Sequence, residues 1–237
     1  MDPRTRDSID AFWTSYYGVA QEALGAPGVR VVPHAGLAGY RGLHGFAREG
    51  SGLLISAPPE RVNGLREAMD GWSLETLCDR ERLHSLGFEA QGIVGPAFLG
   101  YTDARCFRPA PSLSVRRLEP EDRNAWEALR GACDDGDWEH GGGDLEHPCA
   151  GWFEAGQLLA LAHYELWGGS LAHIGVVTRP DAQGGGRGRA VVSALTGLAL
   201  AEGLVPQYRT LEANRPSMAL GRALGFEAYA RTVAVRL

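Results

Sequence analysis

One stretch of the chain is built like a phosphate holder. His173-Ile-Gly-Val-Val-Thr-Arg-Pro-Asp-Ala-Gln-Gly-Gly-Gly-Arg-Gly-Arg189 runs into the apolar segment 190–201 and reads as strand, loop and helix. Gly184, Gly185, Gly186 and Gly188 let successive backbone N–H groups turn toward one point, where the following helix presents its positive end. Such a cradle suits a pyrophosphate, with Arg187 and Arg189 adding charge-assisted bonds. The bland alternative is a glycine loop without a ligand. A nicotinamide-type fingerprint is opposed by the spacing, since Gly186-Arg-Gly188 would need glycine at 191, which is valine. The preceding strands also read as a hairpin and not as a βαβ unit.

Two other places carry acid–base chemistry. In the first, Glu165 and His163 lie in a strand-like run that ends at a Gly168-Gly169 turn. With the turn centred on that pair, Glu165 falls opposite Ala172 and His163 opposite Ile174, on one face of the sheet. There they present either base groups or a solvated sheet edge. His173 and Tyr164 then fall on the other face, as core partners. The second place is the segment 134–144, too polar and glycine-rich for regular structure, whose Trp138-Glu139-His140 offers an aromatic wall, a carboxylate and an imidazole. An acidic set here suits a cationic amine; the alternative is a solvated loop.

The rest of the composition narrows the chemistry. The 237 residues include 23 basic and 29 acidic side chains, and every basic one is arginine. Without lysine, Schiff-base and pyridoxal-phosphate chemistry and the lysine-bearing P-loop are excluded. An acidic, lysine-free surface argues against a nucleic-acid binder. Cys78, Cys106, Cys133 and Cys149 form no CxxC pair, which leaves free thiols and no metal site. No apolar run approaches membrane-spanning length and residues 1–10 lack a signal-peptide pattern, so the expectation is a cytoplasmic protein without membrane partners.

These groups need elements to position them. The proline-bearing stretch 103–114 separates two mixed α/β parts, placing a boundary near residue 112, with an N-terminal lobe at 1–112 and a second domain at 113–237. In the first part a helix over about 8–24 carries Phe12, Trp13, Tyr16 and Tyr17 as a core stripe. Strands follow near 29–32, 52–56 and 93–101, with helices near 59–70 and 74–85 between the last two. The second part predicts a helix over 120–132, strands over 151–154, 158–166 and 171–178, a helix from 190, a strand over 207–213, a short helix from 214 and a terminal strand. Leu86-Gly-Phe-Glu-Ala90 recurs as Leu224-Gly-Phe-Glu-Ala228, compatible with either duplication or chance.

Thr178-Arg-Pro180 followed by Gln183-Gly-Gly-Gly-Arg-Gly188 resembles the Q/R-x-x-G-x-G/A acyl-CoA motif of the GNAT superfamily of N-acyltransferases. Asn214-Arg-Pro-Ser217 and Leu224-Gly-Phe226 fit the downstream order, so the resemblance covers about residues 113–237. It implies an α/β fold with a mixed, splayed sheet flanked by helices, the N-terminal lobe being a possible degenerate copy without the loop. It also implies that acetyl-CoA is the acyl donor. The resemblance places pantetheine against Val176, Val177 and Thr178, the pyrophosphate on Gln183, Gly184, Gly185, Gly186, Arg187, Gly188 and Arg189, and Asn214 and Ser217 near the cofactor. The family's frequent carboxylate base falls at Ala172 and its frequent tyrosine acid at Gly221, so both are missing. Glu165, His163, Glu139 and His140 remain as catalytic candidates.

The expected activity is acetyl transfer to a primary amine, on a small molecule or a peptide N-terminus, by a monomer or homodimer. The alternatives are an acyl-CoA sensing module of weak activity and a ligase-like enzyme built from two such domains.

Overall fold

The structure is a computed structural model that describes residues 1–37 and 39–237. Ala38, inside the glycine-rich stretch 36–52, lies outside the described residues. The chain forms two compact units that interleave in sequence. One comprises Pro3–Leu99, Thr210–Met218 and Ala228–Leu237; the other comprises Met1–Asp2, Gly100–Arg209 and Ala219–Glu227.

The first unit opens with helix α1 (Pro3–Tyr17). The helix stops earlier than the predicted residue 24 because Gly18 turns left-handed at φ 63° and its N–H closes on Ser15 O, a common helix stop. Of the aromatic stripe, Trp13 and Tyr17 are buried. Strands β1 (Val29–Pro33), β2 (Leu43–Ala47) and β3 (Leu53–Ala57) follow. β2 is absent from the sequence reading because its stretch is glycine-rich. Its Gly45 is nonetheless a packing residue, since a Cβ there would meet Leu77 at 2.5 Å. Three short helices, α2 (Val62–Ala68), α3 (Leu74–Leu77) and α4 (Arg80–Ser85), lead to β4 (Gly92–Tyr101), whose last two residues belong to the second unit. β1 runs parallel to β3 and β2 antiparallel to it. The core on one side of these strands gathers Val31, Leu43, Ile55, Leu65, Leu77 and Phe88.

The second unit holds β5 (Val115–Arg117), α5 (Arg123–Ala132), α6 (Asp135–Gly141), β6 (Cys149–Glu154), β7 (Gln157–Trp167), β8 (Leu171–Thr178), α7 (Arg187–Ala201) and β9 (Val205–Leu211), with residues up to Arg209 of β9 in this unit. Helix α8 (Arg215–Ala223) is shared between the units. β10 (Glu227–Arg236) pairs antiparallel with β2 in the first unit. β5, β6, β7 and β8 pair antiparallel in sequence order, and β9 joins β8 in parallel. This is the expected mixed sheet. α6 replaces the irregular segment read from the sequence. Asp134 caps it by accepting the Asp137 N–H at 2.7 Å, and Asp135 and Asp137 sit in its first turn, where the helix end is positive.

The two faces of this unit's strands can be told apart by what covers them. The Tyr164 hydroxyl bonds Glu202 at the end of α7, so the even-numbered residues of β7 face α7. A Cβ on Gly143, two residues past α6, would meet the His163 ring at 2.2 Å, so the odd-numbered residues face α6. α5 joins that side through Trp126, whose Nε1–H donates to Gly143 O at 2.7 Å. Leu129, Cys133, Cys149, Leu161 and Val177 form the core beneath.

Candidate active site

The glycine loop has the shape its composition suggests. Gly184 and Gly186 take left-handed conformations at φ 82° and 77°, which cost a residue with a Cβ roughly 1–2 kcal/mol. Nothing lies within 4 Å of a Cβ added at either, so the space beside both is open. Gly186 is the N-cap of α7 and gives the helix no side-chain bond. The first backbone donor spent inside the helix is Ala190 N–H, to Gly186 O at 3.1 Å. The N–H groups of Arg187, Gly188 and Arg189 therefore stand at a positive helix end without an intrahelical acceptor. Gly188 fits closely, since a Cβ there would lie 3.2 Å from Thr178 Oγ1 and press on that side chain.

Beside this loop the sheet opens. β8 and β9 are in register from Leu171–Val205 to Ile174–Tyr208, and the pairing ends there. Gly175, Val176, Val177 and Thr178 continue toward the loop beyond it. α6 lies over this stretch, with Gly141 so close to Val176 O that a Cβ would meet it at 2.1 Å.

The charged loop side chains divide. Arg187 is committed to the protein: it donates to Ala182 O at 3.1 Å and pairs with Glu154 at 2.9 Å. Its buried Nε has no partner among the described residues. Arg189 is exposed. Gln183 reaches back to Thr178 O at 3.5 Å, at the limit of a hydrogen bond. Asn214 and Ser217 fall in the other compact unit, where Asn214 Oδ1 accepts the Ser217 N–H at 3.1 Å in the first turn of α8.

The β7–β8 register corrects the sequence reading by one residue. Glu165 lies opposite His173, His163 opposite Gly175, Tyr164 opposite Ile174, and Leu166 opposite Ala172. The connection is the three-residue Gly168-Gly169-Ser170, where a two-residue Gly-Gly turn was expected. Directly paired residues share a face. His173 therefore leaves Tyr164 and joins Glu165 and His163 on the α6 side.

On that side a chain of polar contacts runs across four strands. Tyr101 O–H donates to Gln207 Oε1 at 2.5 Å, and Gln207 Nε2 meets His173 Nδ1 at 2.8 Å. The Trp167 ring stacks on His173 with centroids 4.3 Å apart, and Trp167 Nε1–H reaches Glu165 Oε2 at 3.4 Å. Glu165 itself is exposed. Burial pushes the His173 imidazole down to about 3, with the Arg209 and His163 charges acting in the same direction. Burial also lowers His163, against the pull of the Glu165 carboxylate. His163 is only 7% exposed and its Nδ1 has no partner among the described residues. Nearby, Asp144 pairs with His147 at 2.7 Å and raises that imidazole.

The other sequence candidates are placed differently. Trp138 turns inward: it packs edge-on against Trp126 at 5.3 Å and joins the core, so it forms no open wall. Glu139 and His140, on α6, are exposed. Ala172 is fully buried. At Gly221 a Cβ would lie 3.0 Å from the Tyr208 ring, which is buried in the space a larger side chain there would need. Gln207, Tyr101 and Trp167 escaped the sequence reading because only strand register brings them to His173. All four cysteines are free, Cys133 and Cys149 being buried. Among the described residues no three metal-ligating side chains gather, and no helix is long and apolar enough to cross a membrane.

Residues 114–226 match the model of the acetyltransferase (GNAT) family. Among solved structures, a GNAT-family protein from Novosphingobium aromaticivorans is 22% identical at a TM-score of 0.50, the match covering 62% of this chain and 65% of that one. A GNAT-family acetyltransferase from Colwellia psychrerythraea is 16% identical at 0.48, covering 64% and 60%. A GCN5-related N-acetyltransferase from Kribbella flavida is 15% identical at 0.48, covering 99% and 96%. The chain thus spans less than two thirds of the length of the first two. No curated protein matches.

Proposed function

We propose, from the GNAT acetyltransferase domain at residues 114–226, that the protein transfers an acetyl group from acetyl-CoA to a primary amine, on a small molecule or a peptide N-terminus. The observation that carries this reading is the glycine loop: left-handed Gly184 and Gly186 with open space beside them, at the head of a helix whose first N–H groups have no intrahelical acceptor. This donor set fits a pyrophosphate. Gly184–Gly188 and the first turn of α7 would hold it, with Gln183 and the exposed Arg189 at its rim. Arg187 shapes the loop from behind, through Glu154 and Ala182. Val176, Val177 and Thr178 offer backbone groups where β8 has left its partner strand.

Bound acetyl-CoA supplies a thioester carbonyl activated toward nucleophiles. The protein's own tasks are to hold the amine beside it, to take the amine's proton and to exclude water. Glu165 is the base in this reading, because its exposed carboxylate stands on the α6 side of the sheet next to His163. His163 contributes a neutral imidazole, which burial keeps from charging at neutral pH. Glu139 and His140 are the rival pair. No tyrosine is required for the departing thiolate, whose pKa is only moderately high.

The test is thiol release from acetyl-CoA over a panel of primary amines, with CoA binding followed by calorimetry. Binding with amine-dependent release supports transfer. Binding without release on any amine would make the protein an acyl-CoA sensor.

A further inference from the structure

The polar chain on the α6 side ends in an imidazole whose proton has one place to be. Gln207 Oε1 accepts from the Tyr101 hydroxyl, which orients the amide so that Nε2–H points at His173 Nδ1. An imidazole nitrogen that accepts carries no hydrogen, so the ring proton of neutral His173 sits on Nε2. The hydrogen bond that His173 makes among the described residues is the one at Nδ1. The groups facing the half-buried ring favour the neutral form: loss of hydration is the largest cause, the charges of Arg209 on β9 and His163 on β7 act the same way, and the carboxylate opposite on β7 is the exposed Glu165. Trp167 stacks on the ring and restrains its tilt. The result is a fixed neutral donor beside the exposed Glu165 carboxylate, with an indole bridging the two.

We propose that His173 selects the acceptor: its Nε2–H, held in place by Gln207 and Tyr101, binds a carbonyl or hydroxyl oxygen adjacent to the substrate amine while Glu165 receives the amine. The preferred substrates are therefore amines bearing a neighbouring oxygen, such as amino alcohols and amino amides, over plain alkylamines. This inference rests on the acyl-transfer reading above. A neutral donor also suits an oxygen ligand that carries no charge, since it exerts no long-range attraction that would favour anions indiscriminately. The loss of an oxygen partner leaves a half-buried donor unpaired, which is why such a site discriminates more sharply than a hydrophobic one.

Two measurements test it. The first is ¹⁵N-histidine NMR of the whole protein, with His173 assigned by comparison with His173→Phe. The expected result is a neutral ring protonated at Nε2 from pH 5 to 9; a ring protonated at Nδ1, or one that titrates in that range, overturns the proposal. In Gln207→Glu the new carboxylate accepts from Nδ1–H, so the ring should titrate near neutrality. The second compares kcat/KM for ethanolamine and glycinamide with that for n-propylamine, which is nearly the same size. Wild type should favour the oxygen-bearing amines by about tenfold, the value of roughly one net hydrogen bond, and His173→Phe should bring the ratio near one by raising KM more than it lowers kcat. Equal rates on all three amines in wild type would overturn the selectivity while leaving acyl transfer standing. No release on any amine would instead overturn the acyl-transfer reading, and this inference with it.

Discussion

The glycine loop and the α6 face of β7–β9 lie in one compact unit but are made in different ways. The loop is assembled from a single run, Gln183–Arg189, and presents backbone N–H groups, so side-chain identity matters there mainly where it must be absent. The face draws Tyr101, His163, Glu165, Trp167, His173 and Gln207 from four separate strands and presents side chains. A local, backbone-made site is robust to what surrounds it. A site assembled by register depends on every strand keeping its alignment.

The sharpest way to separate the two is Gly186→Asp. At φ 77° an added Cβ is strained although it has room, and a carboxylate would face the pyrophosphate. CoA binding should vanish by calorimetry while the His173 NMR signals on the face stay unchanged; unaltered affinity would remove the loop from the cofactor site. Next in size, Glu165→Gln should lower turnover by about 10²- to 10⁴-fold at neutral pH with CoA affinity intact, the usual span for a general base. Glu139→Gln is its control, and the reverse pattern would move the base to α6.

A smaller effect is expected of Gln183→Ala, which should weaken CoA binding by about tenfold or less and leave the melting temperature of the free protein unchanged. Among the described residues its side-chain hydrogen bond is the long one to Thr178 O, and single surface changes of this kind cost little stability. A clear drop in melting temperature would make Gln183 structural.

The mildest test concerns pH. His173 is neutral in the folded protein down to about 3, whereas in an unfolded chain histidine takes a proton near 6.5. Between those values the unfolded state holds more protons, so this contribution is complete above about pH 6.5 and is lost as pH falls toward 3. His163 is lowered as well and acts with the same sign. The melting temperature should decline below about pH 6.5, and His173→Phe should flatten the decline; a flat wild-type profile from pH 7 to 5 would contradict it.

What could be read from the sequence follows the same division. Strand 171–178 has the predicted bounds, and the glycine loop and α7 follow as expected, because each is written in consecutive residues. The face was half legible. Glu165 and His163 were correctly placed together, since residues two apart on a strand share a side. His173 was assigned to the wrong side because Gly168-Gly169 reads as a complete two-residue turn and Ser170 gives no sign of belonging to it. Gln207 and Tyr101 had no local signal, being adjacent only through β8–β9 pairing and the end of β4. α6 was missed because a short helix of aspartate and glycine gains its stability from the Asp134 cap and from packing on β8, which periodicity does not reveal.

The three-residue connection between β7 and β8 has an evolutionary meaning. It is closed by the pair Trp167–Leu171, so removing Ser170 would leave Gly168-Gly169 as a two-residue turn under the same pair and Glu165 still opposite His173. Removing Leu166 instead would shift β7 by one step against that pair and turn Glu165 and His163 to the opposite face of the sheet. A lineage could thus lose the arrangement through one deleted codon with no substitution at His163, Glu165 or His173, and counting the residues between Glu165 and the turn would expose it.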